Sequence, residues 1–132
     1  MDTVTSPHPH PPSVSRAQLA GRLGCPGAPL VLDVRRTPRF LESDRMVATA
    51  RHVAPEAVAD FAASERPREV VVYCAYGHEV GREAAAVLQA AGWPAAWLAG
   101  GIEGGEDGVD DPDDIRGWRS QPLPTVHKAP RR

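Results

Sequence analysis

Short apolar runs alternate with stretches of helical periodicity along the middle of the chain. Four runs are apolar enough to form buried strands: residues 30–34, 51–53, 69–73 and 95–98. Behind the third run, apolar residues recur at the spacing of one buried helix face: Val80, Ala84, Val87, Leu88 and Ala91. Strands that alternate with helical segments predict an α/β fold with a parallel sheet and helices on both of its faces.

Shorter helices are predicted from capping residues and prolines. Three N-terminal signals stand before short amphipathic segments: Ser13 or Ser15, Thr37-Pro38, and Pro55. In the second of these helices, Phe40 and Leu41 are expected to face inward. Ile102 is predicted to start a short last helix after a strand that two glycines interrupt.

Both ends of the chain differ in composition from its middle. Residues 1–13 are rich in proline and predict a disordered tail, in which His8 and His10 are interpreted as solvated rather than as metal ligands. Residues 14–118 are predicted to form one domain, with residues 115–118 packing back on it, and residues 119–132 a flexible tail. An acidic patch lies between: Glu106, Asp107, Asp110, Asp111, Asp113 and Asp114. It lacks the spacing of an EF-hand and is interpreted as a solvated loop.

Overall charge and cysteine content restrict the class of protein. The formal net charge is −2, so neither a nucleic acid nor an anionic membrane is expected as a partner, and no apolar stretch approaches the ~18 residues of a membrane helix. The N-terminus lacks the pattern of a secretory signal, and a cytoplasmic location is expected. Cys25 and Cys74 are interpreted as free thiols in a reducing compartment, and the protein as a monomer.

The candidate chemistry centres on Cys74, which ends the third strand and precedes a short loop and a helix. Ligand sites of parallel sheets lie beyond the carboxyl ends of the strands, where Asp33, Cys74 and Gly100 all fall, so we expect these residues to converge. Main-chain N–H groups and the positive end of the following helix favour a charged sulfur. The pattern predicts an activated sulfur nucleophile, whereas Cys25 has no such surroundings.

Three motifs stand in order at the ends of apolar runs: LDVR at residues 32–35, CAYG at 74–77 and LAGGIEG at 98–104. Together they resemble a single-domain rhodanese, a sulfurtransferase module. The resemblance implies a three-layer sandwich with a central, mainly parallel sheet of about five strands. It also implies that Cys74 takes a sulfane sulfur from thiosulfate or a persulfide, holds it as a persulfide, and passes it to a thiol or cyanide. No metal or organic cofactor is implied.

The resemblance also assigns supporting residues. The substrate loop would comprise Ala75, Tyr76, Gly77, His78, Glu79, Val80 and Gly81. Asp33 would lie near this loop and Arg35 would make a structural ion pair beneath it. Gly77 is expected to adopt a positive φ, and His78 either contacts a bound anion or is solvated at the loop rim. Arg82, on the first helical turn, faces either the loop or solvent.

The loop departs from the common rhodanese pattern in length and charge. It is one residue longer, and the usual basic residue beside the cysteine is replaced by Ala75. Glu79 adds a negative charge that opposes an anionic donor, while Arg36 stands where the family commonly has an acidic residue. The atypical loop leaves open a catalytically weak module that binds a protein partner or senses oxidants. A phosphatase or arsenate reductase is disfavoured because Val80 occupies the position of their anion-clamping arginine.

Overall fold

The computed structural model describes residues 11–128. The strands are β1 (Ser13–Val14), β2 (Leu30–Asp33), β3 (Arg45–Val47), β4 (Arg51–His52), β5 (Val70–Tyr73), β6 (Ala95–Leu98) and β7 (Thr125–His127). The helices are α1 (Arg16–Ala20), α2 (Thr37–Glu42), α3 (Val58–Ser64), α4 (Glu79–Ala90) and α5 (Pro112–Ser120). A 3-10 turn, Pro55–Ala57, leads into α3. Within the described residues, no helix is long and apolar enough to cross a membrane.

Five strands form the central sheet in the order β1-β6-β5-β2-β4, and all of them pair in parallel. This confirms the predicted α/β fold and its five-stranded sheet. The register pairs Asp33 of β2 with Tyr73 of β5. The residues that follow these two strands, Val34 and Cys74, therefore leave the sheet at the same edge.

Helices cover both faces of the sheet because successive side chains of the central strands point to opposite sides. One face is buried against α3 and α4 by Leu32, Val70, Val72, Val58, Phe61, Ala84 and Leu88. The other face is buried against α1 and β3 by Val31, Val71, Tyr73, Leu98, Leu19 and Val47. A fully buried side chain of this size stabilises a fold by about 1.5–3 kcal/mol, so the strands that carry the loops are firmly held.

Three details of the predicted elements were wrong. Leu41 of α2 is 55 % exposed, because the neighbouring Phe40 ring stacks on His52 at 3.9 Å and turns Leu41 outward. Val87 of α4 is 39 % exposed and the C-cap residue Ala91 is also exposed, and the buried stripe runs through Gly81, Ala84, Ala85 and Leu88 instead. Ile102 starts no helix, because glycines on both sides of it have positive φ, and the last helix is α5.

The segment after α5 returns to the domain. Strand β7 pairs antiparallel with β3, and the Arg45 guanidinium donates to the Thr125 hydroxyl at 2.7 and 2.9 Å. The sequence predicted neither strand, and β7 falls in the segment interpreted as a flexible tail. At the other end, Ser13 begins β1, whereas His8 and His10 lie outside the described residues. The domain bounds 14–118 remain a prediction.

Candidate active site

Cys74 follows β5 directly, and its sulfur lies against the first turn of α4. Gly81, the third residue of that helix, has no side chain on this side; a β-carbon there would lie 3.3 Å from Cys74 Sγ. Absence of a side chain at Gly81 therefore allows the close approach of the thiol to the helix. The sulfur sits at the amino end of the helix, where the helix dipole favours negative charge.

The loop that follows Cys74 is held at its start by the glycine-rich turn after β6. The amide of Ile102 donates to the Cys74 carbonyl at 3.1 Å, and the amide of Glu103 donates to the Ala75 carbonyl at 2.8 Å. Gly77 has the expected positive φ of 80°, and a β-carbon there would lie 2.6 Å from the Gly100 amide nitrogen. The LAGGIEG motif is thus the surface against which the loop folds.

The main-chain amides of residues 75–81 donate to no acceptor within the part of the chain that the structure describes. The last three belong to the first turn of α4, where an α-helix supplies no acceptor of its own. The side chain of the N-cap residue, His78, makes no capping bond either. A series of unpaired N–H groups at the positive end of a helix is a ready site for an anion.

A cavity of about 180 Å³ opens over Cys74. It is lined by Arg35, Arg36, Arg39, Cys74, Ala75, Tyr76, His78 and Val80. Cys74 itself is 6 % exposed and is one of the residues that line this opening. Three arginines thus line a small cavity with the thiol, and Arg36 and Arg39 give it a positive character that the loop sequence alone does not have.

Arg35 is fixed beneath the cavity by a buried network with Asp33 and Tyr73. Arg35 Nη2 donates to Asp33 Oδ2 at 2.6 Å, and the Tyr73 hydroxyl donates to the same oxygen at 2.8 Å. Burial opposes the charge of Arg35, but the hydrogen bonds and charge of Asp33 raise the pKa of Arg35. Burial, followed by the charge of Asp33, raises the pKa of Tyr73 well above its ordinary value. The network therefore keeps Arg35 charged and the Tyr73 hydroxyl protonated.

His78 is held by two carboxylates of the acidic patch. Its Nε2 lies 2.9 and 3.0 Å from the carboxylate oxygens of Asp110, and its Nδ1 lies 3.5 Å from Glu106 Oε1. Asp110 also accepts the Glu106 amide at 2.6 Å. Burial raises the pKa of Asp110, but the Glu106 amide and His78 outweigh it and lower that pKa overall. This part of the patch is a structured contact rather than the solvated loop expected from the sequence.

The predicted site residues do not all reach the cavity. Asp33 lies behind Arg35, and Gly77 and Gly81 contribute close backbone packing. Glu79 is exposed and does not line the cavity, and its opposition to an anionic donor remains a prediction. The Arg82 guanidinium lies over the Trp97 ring at 5.1 Å, and Arg82 does not line the cavity either.

Two residues of the site were missed by the sequence analysis. Arg39 lines the cavity, with its guanidinium 5.4 Å from the centre of the Tyr76 ring. The spacing of three residues from Arg36 on a predicted helix was a usable signal, since such residues share a helix face. Asp110 had no local signal, because 32 positions separate it from His78. Within residues 11–128, no group of three or more histidine, cysteine, aspartate or glutamate side chains is arranged to hold a metal ion.

A parallel sheet with a cysteine loop between a strand end and a helix defines a class of α/β domains with a reactive or anion-binding cysteine. A sequence profile of the Rhodanese-like domain matches residues 15–107. The chain therefore belongs to the rhodanese-like domain family, which the three motifs predicted. No curated protein matches the sequence.

Solved structures agree with this assignment. The rhodanese-like domain of an Anabaena protein is 27 % identical, with 89 % of this chain and 80 % of that chain covered and a TM-score of 0.64. A rhodanese homolog from Thermus thermophilus is 26 % identical, with 70 % and 98 % covered and a TM-score of 0.57. A Lactobacillus plantarum protein is 24 % identical, with 87 % of each chain covered and a TM-score of 0.66, and supports the fold alone.

Proposed function

We propose that the protein is a sulfurtransferase that carries a sulfane sulfur on Cys74 as a persulfide. The observation that carries the proposal is the composition of the cavity, in which one thiol, unpaired loop amides and three arginines meet. A negatively charged sulfur and a negatively charged donor repel each other in water. The amides and guanidinium groups would offset that repulsion where the two must come together.

The reaction has two displacement steps. In the first, the Cys74 thiolate attacks the outer sulfur of thiosulfate; a new S–S bond forms, the S–S bond of thiosulfate breaks, and sulfite leaves with the electron pair. In the second, an acceptor thiolate or cyanide attacks the terminal sulfur of the persulfide, and the electron pair returns to Cys74. Covalent catalysis of this kind needs no metal and no change in the total electron count.

Positive charge around the cavity supports an anionic donor. Arg36 is the N-cap residue of α2, Arg39 lies within that helix, and Arg35 precedes both. They supply the cationic groups that the loop lacks at its usual positions. A phosphatase reaction is less well supported, because Val80 lines the cavity at the loop position where a clamping guanidinium would be needed.

Mass spectrometry of the intact protein tests the proposal directly. After incubation with thiosulfate, 3-mercaptopyruvate or glutathione persulfide, we expect a gain of one sulfur atom on Cys74. Cyanide should remove that sulfur and release thiocyanate. The Cys74→Ser variant should gain nothing, whereas Cys25→Ser should behave like the wild type, because Cys25 does not line the cavity.

One outcome would contradict the proposal and favour the other function considered. If wild-type protein remains free of sulfur with all three donors, while Cys74 is readily oxidised by peroxide, the protein is a binding or redox-sensing module. Persulfide formation on Cys25 at the same rate as on Cys74 would also contradict it, because the reaction would then not depend on the loop.

A further inference from the structure

The middle of the cysteine loop lacks the main-chain support that its start has. The amides of Ile102 and Glu103 hold the carbonyls of Cys74 and Ala75. After Ala75, the loop has one further main-chain hydrogen bond within the described residues. The Arg82 amide donates it to the His78 carbonyl at 3.4 Å. The conformation of the middle of the loop therefore depends on side-chain contacts.

The strongest of these contacts is a cluster of three side chains, His78, Asp110 and Glu106, which we name the acidic latch. Both oxygens of Asp110 are within 3.0 Å of His78 Nε2, and Glu106 faces Nδ1. Exposed fractions of 32 % for the His78 side chain and 18 % for that of Asp110 leave the pair only partly open to water. Asp110 is itself fixed by the Glu106 amide, so the contact has a rigid base.

We propose that Asp110 is a positioning residue, which acts through His78 to keep the loop amides in place around Cys74. This inference rests on the proposed function for its catalytic meaning, although the positioning itself does not require sulfur chemistry. Asp110 lies beyond the family match, which ends at residue 107, and it contacts His78, a residue of the atypical cysteine loop. The atypical loop and the acidic segment thus complement each other.

Two possible roles of Asp110, an effect of its charge and the positioning of the loop, predict opposite results when its carboxylate is removed. Replacement by alanine removes a negative charge near a cavity that would bind an anionic donor. If Asp110 acted only through its charge, Asp110→Ala would therefore speed persulfide formation from thiosulfate. If Asp110 positions the loop, the same variant slows the reaction, because the amides around the sulfur lose their fixed arrangement.

A double-mutant cycle of His78→Ala and Asp110→Ala tests the inference with two readouts. The first is the rate of persulfide formation from thiosulfate. The second is the alkylation rate of Cys74 by iodoacetamide, a neutral reagent, with Cys25 in the same sample as an internal reference. Each single variant is expected to slow both reactions of Cys74 about tenfold, which corresponds to roughly 1.4 kcal/mol. The double variant should be no slower than either single variant.

Two further variants separate the hydrogen bond of the acidic latch from the loss of one negative charge. Asp114→Ala removes the same charge from an exposed position in the first turn of α5 and should leave both rates unchanged. Asp110→Asn keeps an oxygen acceptor for His78 and should restore most of the alkylation rate. Thermal melting of all variants identifies any that are unfolded. For such a variant Asp110→Leu or His78→Phe, which keeps side-chain volume without the hydrogen bond, takes the place of alanine in the cycle.

Additive effects in the cycle, or faster persulfide formation in Asp110→Ala, would overturn the inference. Failure of the proposed function gives a different result. If wild-type Cys74 forms no persulfide at all, the alkylation cycle still shows whether His78 and Asp110 act together on the environment of the thiol.

Discussion

Replacement of Gly81 by alanine tests the position of the sulfur against α4. The new β-carbon would lie 3.3 Å from Cys74 Sγ and 3.6 Å from the Cys74 amide nitrogen. Non-bonded heavy atoms prefer about 3.5–4.0 Å, so the thiol must move by a few tenths of an ångström. The backbone itself tolerates alanine, because Gly81 lies within a helix and has no positive φ.

Stability and activity should respond differently to this substitution. Alanine favours a helix over glycine by about 1 kcal/mol, and overpacking typically costs about 1–3 kcal/mol. The two terms largely cancel, so we expect the free energy of unfolding to change by no more than about 2 kcal/mol. A small displacement of a reacting atom has a larger effect on rate, and a persulfide needs still more room. We expect persulfide formation to fall at least about tenfold.

The assay combines urea unfolding with the rate at which Cys74 gains sulfur from thiosulfate. Gly117→Ala is the matched control, because Gly117 also lies within a helix and a β-carbon there meets nothing within 4 Å. It should raise the free energy of unfolding by up to about 1 kcal/mol and leave the rate unchanged. A Gly81→Ala protein with full activity would refute the placement of the sulfur against the first turn of α4.

Three further substitutions test other parts of the site. Gly77→Ala should lower the free energy of unfolding, measured in urea, by roughly 3 kcal/mol or more, because its φ is 80° and a β-carbon would meet backbone at 2.6 Å. The control Gly92→Ala, at φ 93° in open space, should cost only about 1–2 kcal/mol. Equal losses in the two variants would contradict this reasoning. Tyr73→Phe leaves the buried Val47 amide unpaired and removes one of the hydrogen bonds to Asp33, so it should cost about 1–3 kcal/mol. Since folding raises the pKa of Tyr73, its contribution is present below about pH 10 and lost as pH rises further, so the phenylalanine variant should show a shallower alkaline loss of stability. Arg39→Gln should raise the KM for thiosulfate severalfold with a smaller change in kcat, while Arg66→Gln, at an exposed position outside the cavity, should change neither.

Much of the fold could be predicted because its signals are local. The run of three valines and a tyrosine in β5 is buried on both faces of the sheet and follows the polar residues Arg68 and Glu69, which is typical of a central parallel strand. The position of Cys74 at its end followed from the start of a helical pattern a few residues later. The capping box at Ser15 and the proline in the first turn of α2 are equally local, and both helices are present.

Features that depend on distant residues could not be predicted in the same way. Strands β3 and β7 are about 80 positions apart, and each is three residues long, too short for alternation to be recognised. Asp110 belongs to a run of acidic residues, and nothing in that run distinguishes it from its solvated neighbours. The charge of the cavity was underestimated for a related reason, since Arg35, Arg36 and Arg39 precede Cys74 by more than 30 positions.

The glycine-rich turn after β6 links the cysteine loop to the segment beyond the family match. On one side, a β-carbon at Gly101 would lie 2.5 Å from the Ala75 carbonyl oxygen. On the other side, a β-carbon at Gly100 would lie 2.6 Å from the ring of Trp118 in α5. Backbone of this turn therefore fills a space that admits no side chains, between the loop and the helix. Because one turn contacts both the cysteine loop and Trp118, α5 packs against the support of the candidate site, although it lies outside the motifs that identify the family.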